Sequence, residues 1–121
     1  MQLIDLTSEI KFNPAKLTER QLFSSLGLKI NLYCLEEGQK LEASDSPEPH
    51  IWYCIGGTGY FYCDSRRLSA TFGTLLICDR NSYCCAKGKD HFVILEMRGK
   101  QVKPDKRQIF SKIRGKKFQN H

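Results

Sequence analysis

The stretch from Gly38 to Gly88 is cut into short apolar runs by Gly-rich and Asp/Asn-rich turns, and this punctuation favours β-strands over helices. LKINLYCL at 28–35 alternates: Leu28, Ile30, Leu32 and Cys34 point one way, and Lys29, Asn31, Tyr33 and Leu35 the other. HIWYCI at 50–55 reads as a strong strand, and YFYC at 60–63 as its hairpin return across a turn made by Gly56, Gly57 and Gly59. Further short strands are predicted at 68–72, 75–78, 83–86 and 91–97, with a brief one near 40–43. Many short strands at this spacing imply an all-β antiparallel barrel or sandwich, because the long helical patterns of a βαβ fold are missing.

The flanks read differently. QLIDL at 2–6 suggests an initial edge strand. PAKLTERQLFSS at 14–25 favours a short helix, with Asn13 as its cap and Pro14 at its first position, and with Leu17, Leu22 and Phe23 covering one end of the core. The charge separates the chain into a barrel domain at 1–97 and a basic tail at 98–121. The first holds 10 Lys/Arg against 12 Asp/Glu, net −2; the second holds 9 Lys/Arg and one Asp, net +8. Within the tail, Ile109, Phe110 and Ile113 form an apolar stripe, so a short helix is expected over 105–114.

The chain contains six cysteines: Cys34, Cys54, Cys63, Cys78, Cys84 and Cys85. Residues 1–15 lack the basic start and apolar stretch of a signal peptide, and no apolar run is long enough for a membrane span. A cytoplasmic location with reduced, mostly buried thiols is therefore expected. GGTG at 56–59 lacks the following helix and lysine of a phosphate-binding loop.

The glycine frames carry a resemblance. A glycine, five residues, His-x-His, three or four residues, an acid, six residues and a glycine make the first motif of the small single-domain cupins, the RmlC-like jelly-roll barrels. Laid on this chain it runs from Gly38 to Gly57. Its histidine positions fall on Ser44 and Ser46, and its acid position on His50. The second cupin motif begins at Gly73. Its proline position is Asp79, its glycine position Asn81, its histidine position Cys84 and its last position Gly88. The resemblance implies a jelly-roll barrel and a homodimer. The metal-binding motifs are degenerate, because serine hydroxyls stay protonated near neutral pH and are weak ligands. If a metal were held, His50, Cys84 and Cys54 would be its ligands, and three are the least that such sites normally use. The expectation is a metal-free protein with no cofactor.

The resemblance turns the face of His50, Trp52 and Cys54 inward, together with Phe61, Cys63, Leu75, Ile77 and Cys84. The expected site is then a mostly apolar lining of His50, Trp52, Cys54, Phe61 and Cys84, with Ser44 and Ser46 at its mouth and no carboxylate. Such a site suits a small apolar or aromatic ligand, or the barrel serves a structural or regulatory role. A cupin-like enzyme, either a metal-dependent oxygenase or an isomerase or epimerase, is the alternative. A second alternative is a binder of nucleic acid or another anionic partner through the basic tail. Nucleic acid is not the expected partner, since the tail shows no reading helix and no interleaved aromatics.

Overall fold

The computed structural model describes residues 1–42, 48–79 and 82–99. These described residues contain one helical turn, α1 (Leu6–Glu9), and seven strands: β1 (Thr18–Ser25), β2 (Leu28–Leu35), β3 (Lys40–Glu42), β4 (His50–Cys63), β5 (Arg66–Ala70), β6 (Leu75–Cys78) and β7 (Cys84–Gly99). All pairings are antiparallel. The expected helix at 105–114 lies outside the described residues.

Two long strands organise the sheet. β4 has 14 residues and β7 has 16, and they pair with each other along nearly their whole length. β6 and β5 share the far edge of β4, β6 beside residues 50–53 and β5 beside 59–63. β2 and β3 share the far edge of β7, and β1 lies outside β2. The path ends at β1 and β5 without joining them, so the sheet is an open jelly-roll-like roll and not a closed barrel.

The sequence reading placed a hairpin at 50–63 and two separate strands at 83–86 and 91–97; both are corrected. The glycines at 56–59 do not reverse the chain. They accommodate register shifts between Cys54 and Gly59, opposite residues 88–94. Gly57 has φ +66°, and a side chain there would run into the backbone of His91; one at Gly59 would strike the Phe92 ring. The two strands fold over together at this point. Residues 52 and 61 of a straight strand would lie about 30 Å apart, yet the Trp52 and Phe61 rings are separated by 5.9 Å. Both halves of the folded sheet therefore enclose one core, with Leu35, Trp52, Cys54, Phe61, Cys84, Phe92 and Ile94 buried together.

The N-terminal expectations are also corrected. Residues 2–6 form no strand; the helical turn Leu6–Glu9 follows, capped by Asp5, which accepts from Thr7 N at 3.1 Å and Ser8 Oγ at 2.9 Å. The expected helix at 14–25 is mostly strand β1. Asn13 accepts from Ala15 N at 2.8 Å, a local turn that leads into no helix. From Thr18 onward the ladder to β2 overrides helix propensity. Ile10, Phe12 and Leu22 pack against Leu32, Cys34 and Val93 on the outside of the sheet, forming a second small core.

Candidate functional site

The inner face of the half-sheet β2–β7–β4–β6 is read most directly as cross-strand rows. One row is Lys29, Arg98, His50 and Cys78; the next is Asn31, Glu96, Trp52 and Leu76; the third is Tyr33, Ile94 and Cys54. Strand parity sends every one of these residues to the same side. Leu75 and Ile77, expected to face the interior, are instead 52% and 61% exposed, and Cys78 and Leu76 take the inward positions. The reason is register: His50 is opposite Cys78, so the inward set of β6 is 76 and 78.

At the centre of the rows lies a residue that the sequence reading missed. Glu96 is 1% exposed. Its Oε2 accepts from Trp52 Nε1 at 2.7 Å and from the Arg98 guanidinium at 3.3 Å, and its Oε1 accepts from Asn31 Nδ2 at 2.9 Å and from the Tyr33 hydroxyl at 3.3 Å. Burial alone would push this carboxyl up. The hydrogen bonds from Trp52, Asn31 and Arg98, with the charge of Arg98, outweigh burial and hold it below the usual carboxylate range. Burial and the nearby Glu96 charge push the Tyr33 phenol well up, so it stays a neutral donor. Glu96 was legible in one respect: Phe92, Ile94, Glu96 and Arg98 share a parity, and a charge inside an inward apolar set signals a partnered interior group.

His50 is the contrasting neighbour. It is 5% exposed, and neither Nδ1 nor Nε2 has a hydrogen-bond partner of good geometry. Burial, then the positive charge of Arg98, holds its pKa below the ordinary histidine value; Glu96 and the backbone of Glu48 oppose this more weakly. The imidazole is therefore neutral at pH 7. Its ring centroid lies 5.1 Å from that of Trp52, the planes tilted by 51°. From there aromatic contact continues through Trp52–Phe61 at 5.9 Å to Phe61–Phe92 at 5.5 Å.

His50, Trp52, Cys54, Phe61 and Cys84 thus share one interior. Ser44 and Ser46 lie outside the described residues. Cys54 is fully buried, and its thiol donates to Gly56 O at 3.3 Å. All six cysteines are free thiols. Cys84 Sγ lies 3.1 Å from Cys63 Sγ. His91, by contrast, is on the outside, edge-on to Phe12 at 4.8 Å and 2.9 Å from Asp90.

The metal that cupins imply does not fit this donor set. Among the described residues no three His, Cys, Asp or Glu side chains converge to hold an ion. Glu96 already receives four donors, and burial pushes the Cys84 thiol far up, keeping it protonated. Among the described residues no helix is long and apolar enough to cross a membrane.

Comparison of the amino-acid sequence finds no matching protein family and no matching curated protein. Solved structures do match. An RmlC-like cupin from Desulfovibrio desulfuricans is 18% identical, with a TM-score of 0.74 over 82% of this chain and 96% of that one. A cupin superfamily protein from Desulfitobacterium hafniense is 15% identical, with a TM-score of 0.73 over 83% and 92%. A cupin 2 conserved barrel domain protein from Leptotrichia buccalis is 18% identical, with a TM-score of 0.73 over 80% of this chain and 47% of that one. Strand order, the folded pair of long strands and these likenesses together give the chain a cupin-like jelly-roll fold.

Proposed function

We propose that the inner face around His50 and Trp52 binds a small apolar or aromatic molecule carrying one hydrogen-bonding group, without a metal. The observation behind this reading is the imidazole of His50, buried with neither nitrogen in a hydrogen bond of good geometry. More than nine in ten buried polar groups find a partner, and leaving one unmade costs on the order of 1–3 kcal/mol. A neutral imidazole offers one donor and one acceptor. A hydroxyl on the ligand would satisfy one nitrogen while its apolar body lies against Trp52 and Phe61, with Cys54 and Cys84 as small packing groups.

The charge balance selects for a neutral ligand. Glu96 and Arg98 already lie against each other, so an incoming carboxylate would compete with Glu96 for the guanidinium. Glu96 also fixes the indole by its Nε1, which sets the face Trp52 presents. Ser44 and Ser46, just ahead of β4, complete the proposed binding set.

Trp52 is the only tryptophan, so its indole N–H signal in an NMR spectrum reports on this site alone. Phenol and cyclohexanol should shift that signal saturably and more tightly than toluene does. His50→Ala should weaken phenol about tenfold, the equivalent of one hydrogen bond. No saturable shift with any of these probes would refute the reading.

A homodimer is the second part of the proposal, supported by the outer face of the same strands. Its rows are Ile30, Met97, Ile51 and Ile77, then Leu32, Leu95, Tyr53 and Leu75, and they carry no charge. The N-terminal segment covers the Leu32 end, whereas Leu28, Leu75 and Ile77 remain exposed. A second copy would cover that apolar edge.

A further inference from the structure

Three thiols meet in the core: Cys78, directly opposite His50 on β6, and the pair Cys63 and Cys84. Cys63 closes β4, Cys84 opens β7, and they are direct cross-strand partners. Asp64 N donates to Tyr83 O at 3.2 Å, so the 64/83 pair is hydrogen-bonded and the adjacent 63/84 pair belongs to the close-spaced, non-hydrogen-bonded class. In that class the Cα atoms stand about 4.5 Å apart, within the range a disulfide spans. The sulfurs already lie 3.1 Å apart, about 1 Å from bonding distance. Cys78, on β6, packs in the same core.

We propose that Cys63 and Cys84 are an oxidisable dithiol that a peroxide closes to an intrachain disulfide, with Cys63 as the attacking thiol. The two partners differ in access. Cys63 is half-buried and beside solvent, with Asp64 Oδ2 3.9 Å from its sulfur, whereas Cys84 and Cys78 are fully buried. Burial pushes the Cys78 thiol up to about 11 and the Cys84 thiol further, so neither is a ready nucleophile in the closed core.

The Cys63 thiolate attacks one peroxide oxygen and breaks the O–O bond. This gives a sulfenic acid, and the released hydroxide takes up a proton to become water. The Cys84 sulfur then attacks the Cys63 sulfur. The S–S bond forms, the S–O bond breaks, and the departing hydroxide takes the Cys84 thiol proton as a second water. Two thiols lose two electrons in all, and one peroxide gains them.

The test is hydrogen peroxide treatment of the reduced full-length protein, followed by alkylation of remaining thiols and peptide mapping by mass spectrometry. The expected product is a Cys63–Cys84 cross-link, formed as well in C85S and reversed by dithiothreitol. In C84S, Cys63 should progress to sulfinic acid without a link. Should C84S fail to fold, C63S provides the same contrast, since Cys84 should then stay a free thiol. A dominant Cys78–Cys84 link, or wild-type Cys63 reaching sulfinic acid while Cys84 remains free, would overturn the assignment.

Discussion

At the end of the sheet where β2, β7, β4 and β6 lie side by side, the two faces depart from the usual arrangement of a half-buried sheet. The side turned into the roll carries Asn31, Glu96, Trp52, Arg98 and His50 in adjacent rows, and the side turned outward carries Ile30, Met97, Ile51 and Ile77. An interior face normally holds the apolar set and a solvent face the polar one. Each face therefore needs a partner of a different kind. Inside, the carboxylate of Glu96 is fully partnered, while His50 two residues along the row pattern is not. Outside, Ile10 and Phe12 cover one end of the apolar surface and leave the β6 end open. Polar groups inside are settled by hydrogen bonds, apolar groups outside only by being covered.

The harshest way to break this comparison is Glu96→Ala. It would take the acceptor from the buried Trp52 indole N–H and the carboxylate from beside the Arg98 guanidinium, at a cost of about 3–5 kcal/mol in urea unfolding. Glu96→Gln, which keeps an acceptor for Trp52, should cost clearly less. Equal losses from the two variants would mean that the hydrogen-bond pattern does not matter.

On the opposite face, Phe12→Ala removes part of the N-terminal cover. The ring is half-buried, so about half the 3–5 kcal/mol of a fully buried Phe is expected, roughly 2 kcal/mol. A loss below about 0.5 kcal/mol would show that the segment merely rests on the sheet.

At the open end, Ile77→Asp places a charge on the exposed apolar row. Sedimentation equilibrium should then show dimer dissociation at least tenfold easier, about 1.4 kcal/mol, with the circular dichroism of the subunit retained. A wild-type chain that sediments as a monomer would remove the proposed dimer altogether.

The gentlest probe is pH. The folded pKa of His50 is depressed from 6.5, so below pH 6.5 the unfolded chain binds a proton that the folded chain refuses. Stability contributed by neutral His50 is present above pH 6.5 and falls as the pH drops towards its folded pKa. Glu96, also depressed, loses its contribution only below the ordinary carboxylate range. Thermal melts between pH 7 and pH 5 should therefore decline, and His50→Gln should flatten the decline. An unchanged slope in that variant would place the titrating group elsewhere.

Much of the fold was legible locally. β2 matches its predicted limits at 28–35, and β6 at 75–78, because apolar alternation bounded by turn residues has few other solutions. The glycines were visible too, but their role was not. Gly56, Gly57 and Gly59 suit a turn and a bulge equally well, and only β7, 30 residues further on, decides between them by pairing with both sides of Gly57. The helix expected at 14–25 failed for a similar reason, since a capping residue and a proline are local signals and the β2 ladder is not.

By itself, then, the amino-acid sequence determined the strand-rich class and the shared face of His50, Trp52 and Cys54, which the resemblance to cupins turned inward. These depend on residue type and on a period of two, both of which are properties of neighbours in the chain. Tertiary structure alone decided that Glu96 receives Trp52, Asn31, Tyr33 and Arg98, that Leu75 and Ile77 face outward, and that Cys63 meets Cys84. Each of those facts is set by register between strands distant in the chain. A slip of one residue would exchange the two faces, and no local propensity carries that information.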